Sequence, residues 1–390
     1  MWEAFGEARL PIIQDRPFAY DLTISGAARV STYSTIGQTF TYQGSLNYAP
    51  VRDIRFRGTY AEAVRAPNIG ELFGPQNQTF LFVDDPCSQD NLNNGTDFRV
   101  ANCAALLGSL GLSPEQIQGF DGATSASIPG VAGGNRNLTE ETARTFTAGV
   151  VLQPRFIPGF SLSVDFYDVR IRDAVSTPSL QVVADLCVDQ PTLDNVFCAA
   201  IDRNPASVTA APGVVNGFRL QPQNVAEFAT RGIDMVLNYR VEPGDLGLFN
   251  FRLTGNYLDR LTFIPTPGGD VVDSKGTAIP APEWQASFDL TYAKDNFGLN
   301  YGVNYYSGVL RTTNELIAAQ PDRFPEEFIY FKDRWVHEIQ ASIAIDEGFT
   351  FYGGVNNLFN QTPDVGSFTI PVSPQGRFFY AGARVNLPSF

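Results

Sequence analysis

Apolar and polar residues alternate with a period of two along most of this chain. From Phe249 to Tyr257, and again from Phe297 to Tyr305, aromatic or aliphatic side chains occupy nearly every second position, with Asn, Arg, Thr or Gly between them. A period of two predicts β-strands that have one apolar face and one polar face. The segments are longer than the usual globular strand of about 5–6 residues. Their length of about 10 to 13 residues matches the roughly 9–11 residues of a tilted strand that crosses a bilayer.

The alternation predicts about thirteen strands, at roughly 2–11, 18–32, 38–49, 51–63, 143–153, 160–174, 229–241, 248–260, 283–294, 297–308, 333–345, 348–358 and 376–388. We expect the apolar face, which includes Phe251 and Leu299, to contact lipid. We expect the polar face, which includes Asn250 and Asn300, to line an enclosed interior. The predicted fold class is therefore all-β, a transmembrane antiparallel β-barrel.

Short turns and long connections alternate after the third strand. The long connections fall at about 64–142, 175–228, 261–282, 309–332 and 359–375. This alternation is typical of an outer-membrane barrel with short periplasmic turns and long external loops. In the loops 64–142 and 175–228 we expect short helices at 101–110, 114–120, 179–188 and 192–203, with Ser113 as an N-cap, and a hairpin at 214–224.

The parity of the strand count bears on the extent of the barrel. Bacterial single-chain barrels contain an even number of strands. If the short turns are periplasmic, the last strand ends in the periplasm. With about thirteen strands, the first strand would then begin outside the cell. We therefore expect an odd number of strands before Met1, so that residues 1–390 form the carboxyl-terminal portion of one larger barrel.

Composition is consistent with this class and excludes others. Aromatic residues make up 13% of the chain, with 31 Phe and 15 Tyr, which suits aromatic girdles at two membrane interfaces. The alternative is an aromatic-rich core of a soluble sandwich. The sequence contains no run of about 18 apolar residues, so it predicts no membrane-spanning helix. A net charge of −14 argues against nucleic acid as a partner.

The sequence contains no arrangement that predicts catalysis, a cofactor or a metal site. The single histidine, His337, removes most Ser–His–Asp arrangements and His-based metal sites. No glycine-rich loop follows a strand and opens a helix. Five loop aspartates do not have the spacing of a calcium site, so we expect solvated acids at Asp84, Asp85, Asp121, Asp270 and Asp273.

The four cysteines form two close pairs inside the two longest loops, Cys87 with Cys103 and Cys187 with Cys198. An even number of cysteines placed in this way predicts disulfides in an oxidising compartment. On the chain-entropy model, closing loops of this size would stabilise the fold by roughly 3 kcal/mol.

Several short strings, in order along the chain, resemble the barrel of TonB-dependent receptors of the bacterial outer membrane. The strings are E-A-R-L-P at 7–11, R-G-T-Y at 57–60, V-R-A-P-N-I-G-E-L-F at 64–73, N-L-T-E-E-T at 137–142, A-T-R-G-I-D at 229–234 and N-N-L-F-N at 356–360. Each string alone is weak, but together they span nearly the whole chain in the family's order.

The residues of these motifs are expected to build the barrel rather than a reaction centre. They are Arg65, Ala66, Pro67, Glu71, Leu72, Asn357, Leu358 and Phe359. Pro67 and Gly70 would stop the strand at the rim. Arg65 pairs with Glu71 or with carboxylates of the interior, or both are solvated rim charges. Asn357 and Asn360 would satisfy backbone groups where strand becomes loop.

The resemblance implies a 22-stranded barrel with a plugged lumen, of which about thirteen strands are present here and about nine precede Met1. The plug domain, and the amino-terminal segment that contacts a TonB-type energy-transducing complex, would lie outside this chain. The resemblance further implies outer-membrane lipid, the barrel-assembly machinery and a siderophore or similar ligand as partners.

The function implied is energy-dependent uptake of a bulky, scarce nutrient across the outer membrane, with an iron–siderophore complex as the expected ligand. Loop aromatics and polar-face residues are the candidate ligand contacts: Phe80, Phe82, Phe98, Phe120, Phe263, Phe324, Phe328, Tyr330, Arg252, Asn256, Asn300 and Asn304. The alternatives are a passive porin-type channel, a barrel-resident enzyme, or a soluble extracellular β-protein such as an adhesin.

Overall fold

The computed structural model describes residues 1–123, 126–264, 266, 271–277, 281–319, 325–346, 348–364 and 372–385. Within these residues the strands are β1 (Trp2–Arg16), β2 (Ala19–Tyr33), β3 (Gly37–Val51), β4 (Ile54–Arg65), β5 (Asn77–Leu81), β6 (Ile128–Ala132), β7 (Glu141–Leu152), β8 (Phe160–Ser176), β9 (Ile201–Arg203), β10 (Val215–Leu220), β11 (Gln223–Val241), β12 (Leu248–Ile264), β13 (Val272–Asp273), β14 (Trp284–Lys294), β15 (Phe297–Tyr306), β16 (Val309–Leu310), β17 (Tyr330–Phe331), β18 (Arg334–Ala344), β19 (Phe349–Asn356) and β20 (Phe378–Val385). The α-helices are α1 (Ile69–Phe73), α2 (Arg99–Ser109), α3 (Pro114–Gln118), α4 (Leu180–Asp189) and α5 (Asn314–Ala319). None of the helices in the described residues has the length and apolar character needed to span a membrane.

One large antiparallel sheet dominates the described chain. Its order is β1-β2-β3-β4-β7-β8-β11-β12-β14-β15-β18-β19-β20, with β13 added beside β12. These thirteen long strands correspond one to one with the predicted strands, and several extend further than predicted, such as β1 and β11. Among the described residues β1 pairs only with β2 and β20 only with β19, so the barrel is not closed.

The register keeps the apolar and polar positions on separate faces of the sheet. Phe251 stands opposite Tyr239 on one side and Leu290 on the other, whereas Asn250 stands opposite Arg240 and Thr291. Aromatic rings cross strand boundaries on the apolar face, with Tyr257 and Trp284 at 4.4 Å and Tyr305 and Trp335 at 4.3 Å between ring centroids. Since many large side chains of this face are exposed, it is an uncovered surface rather than half of a sealed core.

Glycines indicate how the sheet curves. A Cβ atom added to the polar-face glycines would come within 2.8 Å of a neighbouring atom, at Gly149, Gly232, Gly298, Gly302, Gly354 and Gly382. A Cβ atom added to the apolar-face glycines would meet nothing closer than 3.3 Å, at Gly6, Gly26, Gly44, Gly58, Gly255 and Gly353. Polar side chains therefore converge and apolar side chains diverge, as on the concave and convex faces of a barrel wall.

The two longest connections fold together into one unit, which we call the cap (residues 77–132 and 180–220). Its sheet has the order β5-β6-β10-β9, and the parallel pair of β6 and β10 joins strands from different connections. Its core contains side chains from both connections, including Leu107, Phe120, Val183 and Phe218. Disulfides join Cys87 to Cys103 and Cys187 to Cys198, which confirms the predicted pairing.

The local predictions for the cap were right only in part. The helices near 101–110, 114–120 and 179–188 are present as α2, α3 and α4, and Ser113 caps α3 by accepting a hydrogen bond from the Gln116 amide. The helix at 192–203 was wrong, because only Cys198–Ala200 forms a 3-10 turn before β9 begins. The hairpin at 214–224 was also wrong, because β10 pairs with β6 and β9, and β11 begins at Gln223.

Candidate ligand-binding surface

A charge network at the rim joins three strands and the first helix. Arg65, at the end of β4, donates from Nε and Nη2 to the two carboxylate oxygens of Glu141, each at 2.6 Å. The same guanidinium donates to Glu71 at 3.1 Å, and Glu141 accepts the Val175 amide of β8 at 2.7 Å. The expectation that Arg65 pairs with Glu71 or another carboxylate is met on both counts. Glu141 is only 9% exposed, so it is a buried partner.

Strand β4 stops at Arg65, as the motif around Pro67 predicts, and helix α1, which the sequence did not predict, begins at Ile69. Asn68 accepts the Glu71 amide, and the Glu71 carboxylate in turn accepts the Asn68 amide, each at 2.8 Å. This reciprocal pair is a capping box. Leu72 and Pro67 are buried, and Ala66 is half-buried. The Asn135 amide donates to the Glu71 carbonyl at 2.7 Å, which fixes the base of the cap to the rim.

The carboxyl-terminal motif also forms a backbone junction. Asn357 has a φ of 51° and exchanges two hydrogen bonds of 2.8 Å with the backbone of Gln361. Asn360 accepts the Arg377 amide at 2.9 Å. The Leu358 amide donates to the His337 carbonyl at 2.7 Å, and the Phe359 ring meets the His337 ring edge-on at 4.8 Å. The predicted role of Asn357 and Asn360 is confirmed.

Hydrogen-bonded groups line the polar face below the rim. Arg57 donates to both oxygens of Asp165, at 2.7 and 2.5 Å, and to Ser163 at 2.9 Å. Asn256 donates to Asp234 at 2.7 Å and to the Tyr167 hydroxyl at 3.3 Å. These side chains reach across intervening strands at small residues such as Gly149, so the polar face is cross-linked as well as polar.

The predicted polar contacts lie on this concave face. The register places Arg252 opposite Asp289, Asn304 opposite Ser287, Asn300 opposite Thr291 and Asn256 opposite Gln285. Arg252 forms no ion pair with any described residue, and its side chain is exposed. All four side chains thus share one surface, and their contact with a ligand stays a prediction.

The predicted aromatic contacts divide into exposed and packed side chains. Phe80, Phe82 and Phe98 are exposed on the cap, and Phe328 and Tyr330 are exposed near β17. Phe120 is 4% exposed because it packs in the cap core, so its prediction as a ligand contact was wrong. Phe263 lies on β12 rather than in a loop and stacks on Phe228 at 4.6 Å. Phe324 lies outside the described residues.

Buried ion pairs hold the two halves of the cap together. Arg203 in β9 donates to both oxygens of Asp85, at 2.6 and 2.9 Å. Arg99 in α2 donates to Asp189 and to Asp185 of α4, at 2.8 and 3.0 Å. Burial raises the pKa of the Asp185 carboxyl above its ordinary value, although Arg99 opposes the shift. The prediction that Asp85 is a solvated acid was therefore wrong.

The other loop aspartates that were predicted to be solvated differ in their surroundings. Asp84, Asp85 and Asp121 line a cavity of about 350 Å³ in the cap. Asp273 accepts the Lys275 amide at 2.9 Å, and Asp270 lies outside the described residues. No cluster of three or more His, Cys, Asp or Glu side chains suited to a metal ion occurs in the part of the chain that the structure describes.

Comparisons with known proteins agree with this architecture. A family model described as "TonB dependent receptor-like, beta-barrel" matches residues 2–358. A mutant of the ferric enterobactin receptor PfeA of Pseudomonas aeruginosa is 14% identical, with 98% of this chain and 44% of that chain covered and a TM-score of 0.59. The siderophore receptor PirA of Acinetobacter baumannii is 14% identical, with coverages of 98% and 45% and a TM-score of 0.58. The FrpB iron transporter of Neisseria meningitidis is 14% identical, with coverages of 98% and 44% and a TM-score of 0.55.

This chain spans less than half the length of those solved structures, and at such identity the likeness concerns the fold. A search of curated proteins gave no match.

Proposed function

The chain belongs to the family of TonB-dependent receptor β-barrels, and from this premise we propose that it forms part of an outer-membrane receptor for energy-dependent uptake of an iron–siderophore complex. The observation that carries the proposal is the pairing of an exposed apolar convex face with a charged concave face beneath a folded cap. Lipid would cover the apolar convex face, and water in the lumen would solvate the charged concave face. A soluble adhesin would leave the apolar face in water.

The concave face suits a polar cargo. Four charged residues of this face make no ion pair with other described residues. They are Arg55, Arg252, Asp289 and Glu338. Unpaired charges are tolerated where water solvates them. A large chelate that enters from outside would meet the cap first and this face second. Exposed rings such as Phe82 would supply apolar contact, and the amides of Asn300 and Asn304 would orient polar groups.

The proposal includes residues outside this chain. Among the described strands, β1 and β20 each have one unpaired edge, which would leave backbone amides and carbonyls without partners in lipid, at a cost of several kcal/mol per group. We propose that further strands of the same protein, with a plug domain, close the barrel and fill it, and that this chain is its carboxyl-terminal part. A TonB-type complex would act on the plug, and the barrel-assembly machinery would insert the whole receptor.

Uptake by cells tests the proposal. The full-length receptor is supplied on a plasmid to receptor-deficient cells, and radioactive iron is offered as a ferric tris-catecholate or a ferric hydroxamate. We expect accumulation of one chelate class, and loss of that accumulation in cells without the TonB-type partner. Accumulation that persists without the partner, or ion conductance through the receptor in planar bilayers, would favour a passive channel instead.

The binding affinity of two variants tests whether the ligand contacts the concave face. Replacement of Arg252 and Asn256 by alanine removes two polar groups of the proposed ligand surface, and we expect binding to weaken roughly tenfold or more. Arg155→Ala is the matched control, because Arg155 pairs with Asp53 at a short turn on the far end of the sheet. Equal affinity of both variants and the wild type would contradict the assignment of this face.

A further inference from the structure

Strand β5 is an open edge of the cap sheet. Among the described strands it pairs only with β6, whose other side pairs with β10. Phe80 of β5 stands opposite Pro129, which has no amide hydrogen. The Gly133 amide, in phase with Pro129, donates to the Leu220 carbonyl of β10 at 3.2 Å. Backbone groups of this phase of β6 therefore point to β10, and those of the residues opposite on β5, Gln78 and Phe80, point away from the sheet.

The side chains along this edge alternate between buried and exposed positions. Leu81 packs against the cap core, and Val83 belongs to that core. Phe80 and Phe82 are 57% and 70% exposed. Since successive side chains of an extended chain point to opposite sides, the two rings lie on the same side of the edge. An exposed strand edge with large apolar side chains is a surface on which another strand can pair.

An acidic cavity adjoins the carboxyl end of β5. Its volume is about 350 Å³, and Phe82 forms part of its wall. Three exposed carboxylates line it and take part in no ion pair within the described chain, Asp84, Asp90 and Asp121. Its fourth carboxylate, Asp85, is already paired within the cap. The described lining of the cavity includes no lysine, arginine or histidine.

The cap as a whole carries an excess of negative charge. It contains ten Asp and Glu residues and three arginines, and it contains neither lysine nor histidine. Each arginine already pairs with aspartate, Arg99 with Asp185 and Asp189, Arg203 with Asp85, and Arg219 with Asp202. The remaining carboxylates attract a cationic partner and repel an anionic one.

We propose that the open edge of β5 binds an extended, cationic segment of a partner protein. The segment would add a strand beside β5 by hydrogen bonds to the backbones of Gln78 and Phe80. Its apolar side chains would contact Phe80 and Phe82. A lysine or arginine would enter the cavity between Asp90 and Asp121, beside the Phe82 ring. A second copy of this chain is a poor occupant, because it would bring another acidic cap to the same edge.

Peptide titration of the purified full-length receptor in detergent tests the proposal. The probe is a short synthetic peptide in which lysine and valine alternate. One control peptide has glutamate in place of lysine, and the other carries a methyl group on every backbone nitrogen. By calorimetry we expect saturable binding of the lysine peptide, at least about tenfold tighter than that of either control. The first control loses the charge complementarity, and the second loses the backbone hydrogen bonds.

Two variants at one position separate backbone pairing from side-chain contact. Gln78→Pro removes an outward amide while the hydrogen bonds to β6 stay, since proline is tolerated on the open side of an edge strand. We expect at least about fivefold weaker binding of the lysine peptide, because one hydrogen bond is lost and the ring obstructs pairing. Gln78→Val removes the same exposed side chain but keeps the amide, and it should bind like the wild type.

A second pair of variants tests the cavity. Asp90→Asn with Asp121→Asn removes two charges from its lining, and we expect at least about tenfold weaker binding of the lysine peptide. Asp97→Asn with Asp194→Asn removes the same charge from exposed positions of the cap that do not line the cavity. This control should change the affinity by less than about threefold, because salt screens distant charges.

Four results would each overturn the proposal. They are equal binding of the lysine and glutamate peptides, undiminished binding of the methylated peptide, equal effects of the cavity and control variants, and a receptor dimer that Gln78→Pro dissociates in native mass spectrometry. If Gln78→Pro fails to fold, the methylated peptide answers the same question on the unchanged receptor. Chelate uptake is a separate measurement, since every substitution lies in the cap and none on the concave face, so the two proposals can fail independently.

Discussion

Arg203 and Asp85 join the two longest connections by a two-pronged ion pair that is almost fully shielded from water. The side chains are 4% and 0% exposed, and they come from sequence positions 118 residues apart. The Nε atom of Arg203 has no hydrogen-bond partner among the described residues, so the guanidinium depends on Asp85 and the Gly213 carbonyl.

Asp85→Asn should therefore destabilise the cap by about 3–5 kcal/mol, the usual cost of leaving one buried charge unpaired. Asp202→Asn is the control, because Asp202 pairs with Arg219 at the surface, where both side chains are about half exposed; its cost should stay below about 1 kcal/mol. Limited proteolysis of the cap in folded receptor measures both. Similar protease resistance of the two variants would argue against a shielded pair.

The curvature of the sheet predicts opposite results for two glycines. Gly149→Ala places a methyl group 2.0 Å from Asp165 on the concave face, which should cost about 1–3 kcal/mol through overpacking. Gly44→Ala meets nothing within 4 Å on the convex face and should be neutral or stabilise by up to about 1 kcal/mol. Unfolding by urea in detergent, followed by tryptophan fluorescence, gives both values. Equal costs would mean that the polar face is not the crowded one.

Arg65 is expected to matter more for rim structure than for ligand chemistry. Arg65→Gln leaves Glu141 without its guanidinium, and we expect a loss of about 1.5–3 kcal/mol, the range for hydrogen bonds to charged groups. Arg155→Gln, at an exposed pair with Asp53, should cost less than about 1 kcal/mol. Hydrogen exchange of the Val175 amide, which donates to Glu141, reports the rim directly. Unchanged protection of that amide would contradict the network.

The cap should also respond to pH through Asp185. Its folded-state pKa is raised, mainly by burial, so the folded cap binds its proton more tightly than the unfolded chain does. The contribution of Asp185 is therefore greatest below its unfolded pKa and falls as pH rises through the folded pKa. Compared with wild type, Asp185→Asn should gain relative stability between pH 4 and pH 7. Asp189→Asn should instead destabilise at pH 7, because Asp189 is the main partner of Arg99. Thermal unfolding at both pH values distinguishes the two.

The sequence was sufficient for the strands because their signal is local. The alternation from Phe249 to Tyr257 depends on neighbouring residues alone, and the register of β11, β12 and β14 follows from it. The same holds for Ser113, whose cap is completed three residues away by Gln116. The order of short turns and long connections then fixes which strands are neighbours.

The cap could not be predicted because its contacts are remote in sequence. Phe120 looks like a loop aromatic, but it packs in a core that residues of the other long connection share. Asp85 looks solvated, but Arg203 of the other connection pairs with it. Glu141 likewise follows Glu140 in the sequence, and no local pattern indicates that it is buried. Its partner Arg65 is 76 residues earlier. The signals that the sequence did carry for the cap were local: the patterns of α2, α3 and α4, and the paired cysteines, which indicate compact structure.

Because β6 and β10 share one small sheet, neither long connection can be exchanged on its own. A single connection grafted from another receptor would lack the other half of its hydrophobic core. The native connection that remains would lose its packing partner as well. Engineered chimaeras should therefore transplant residues 66–140 and 177–222 as a single graft.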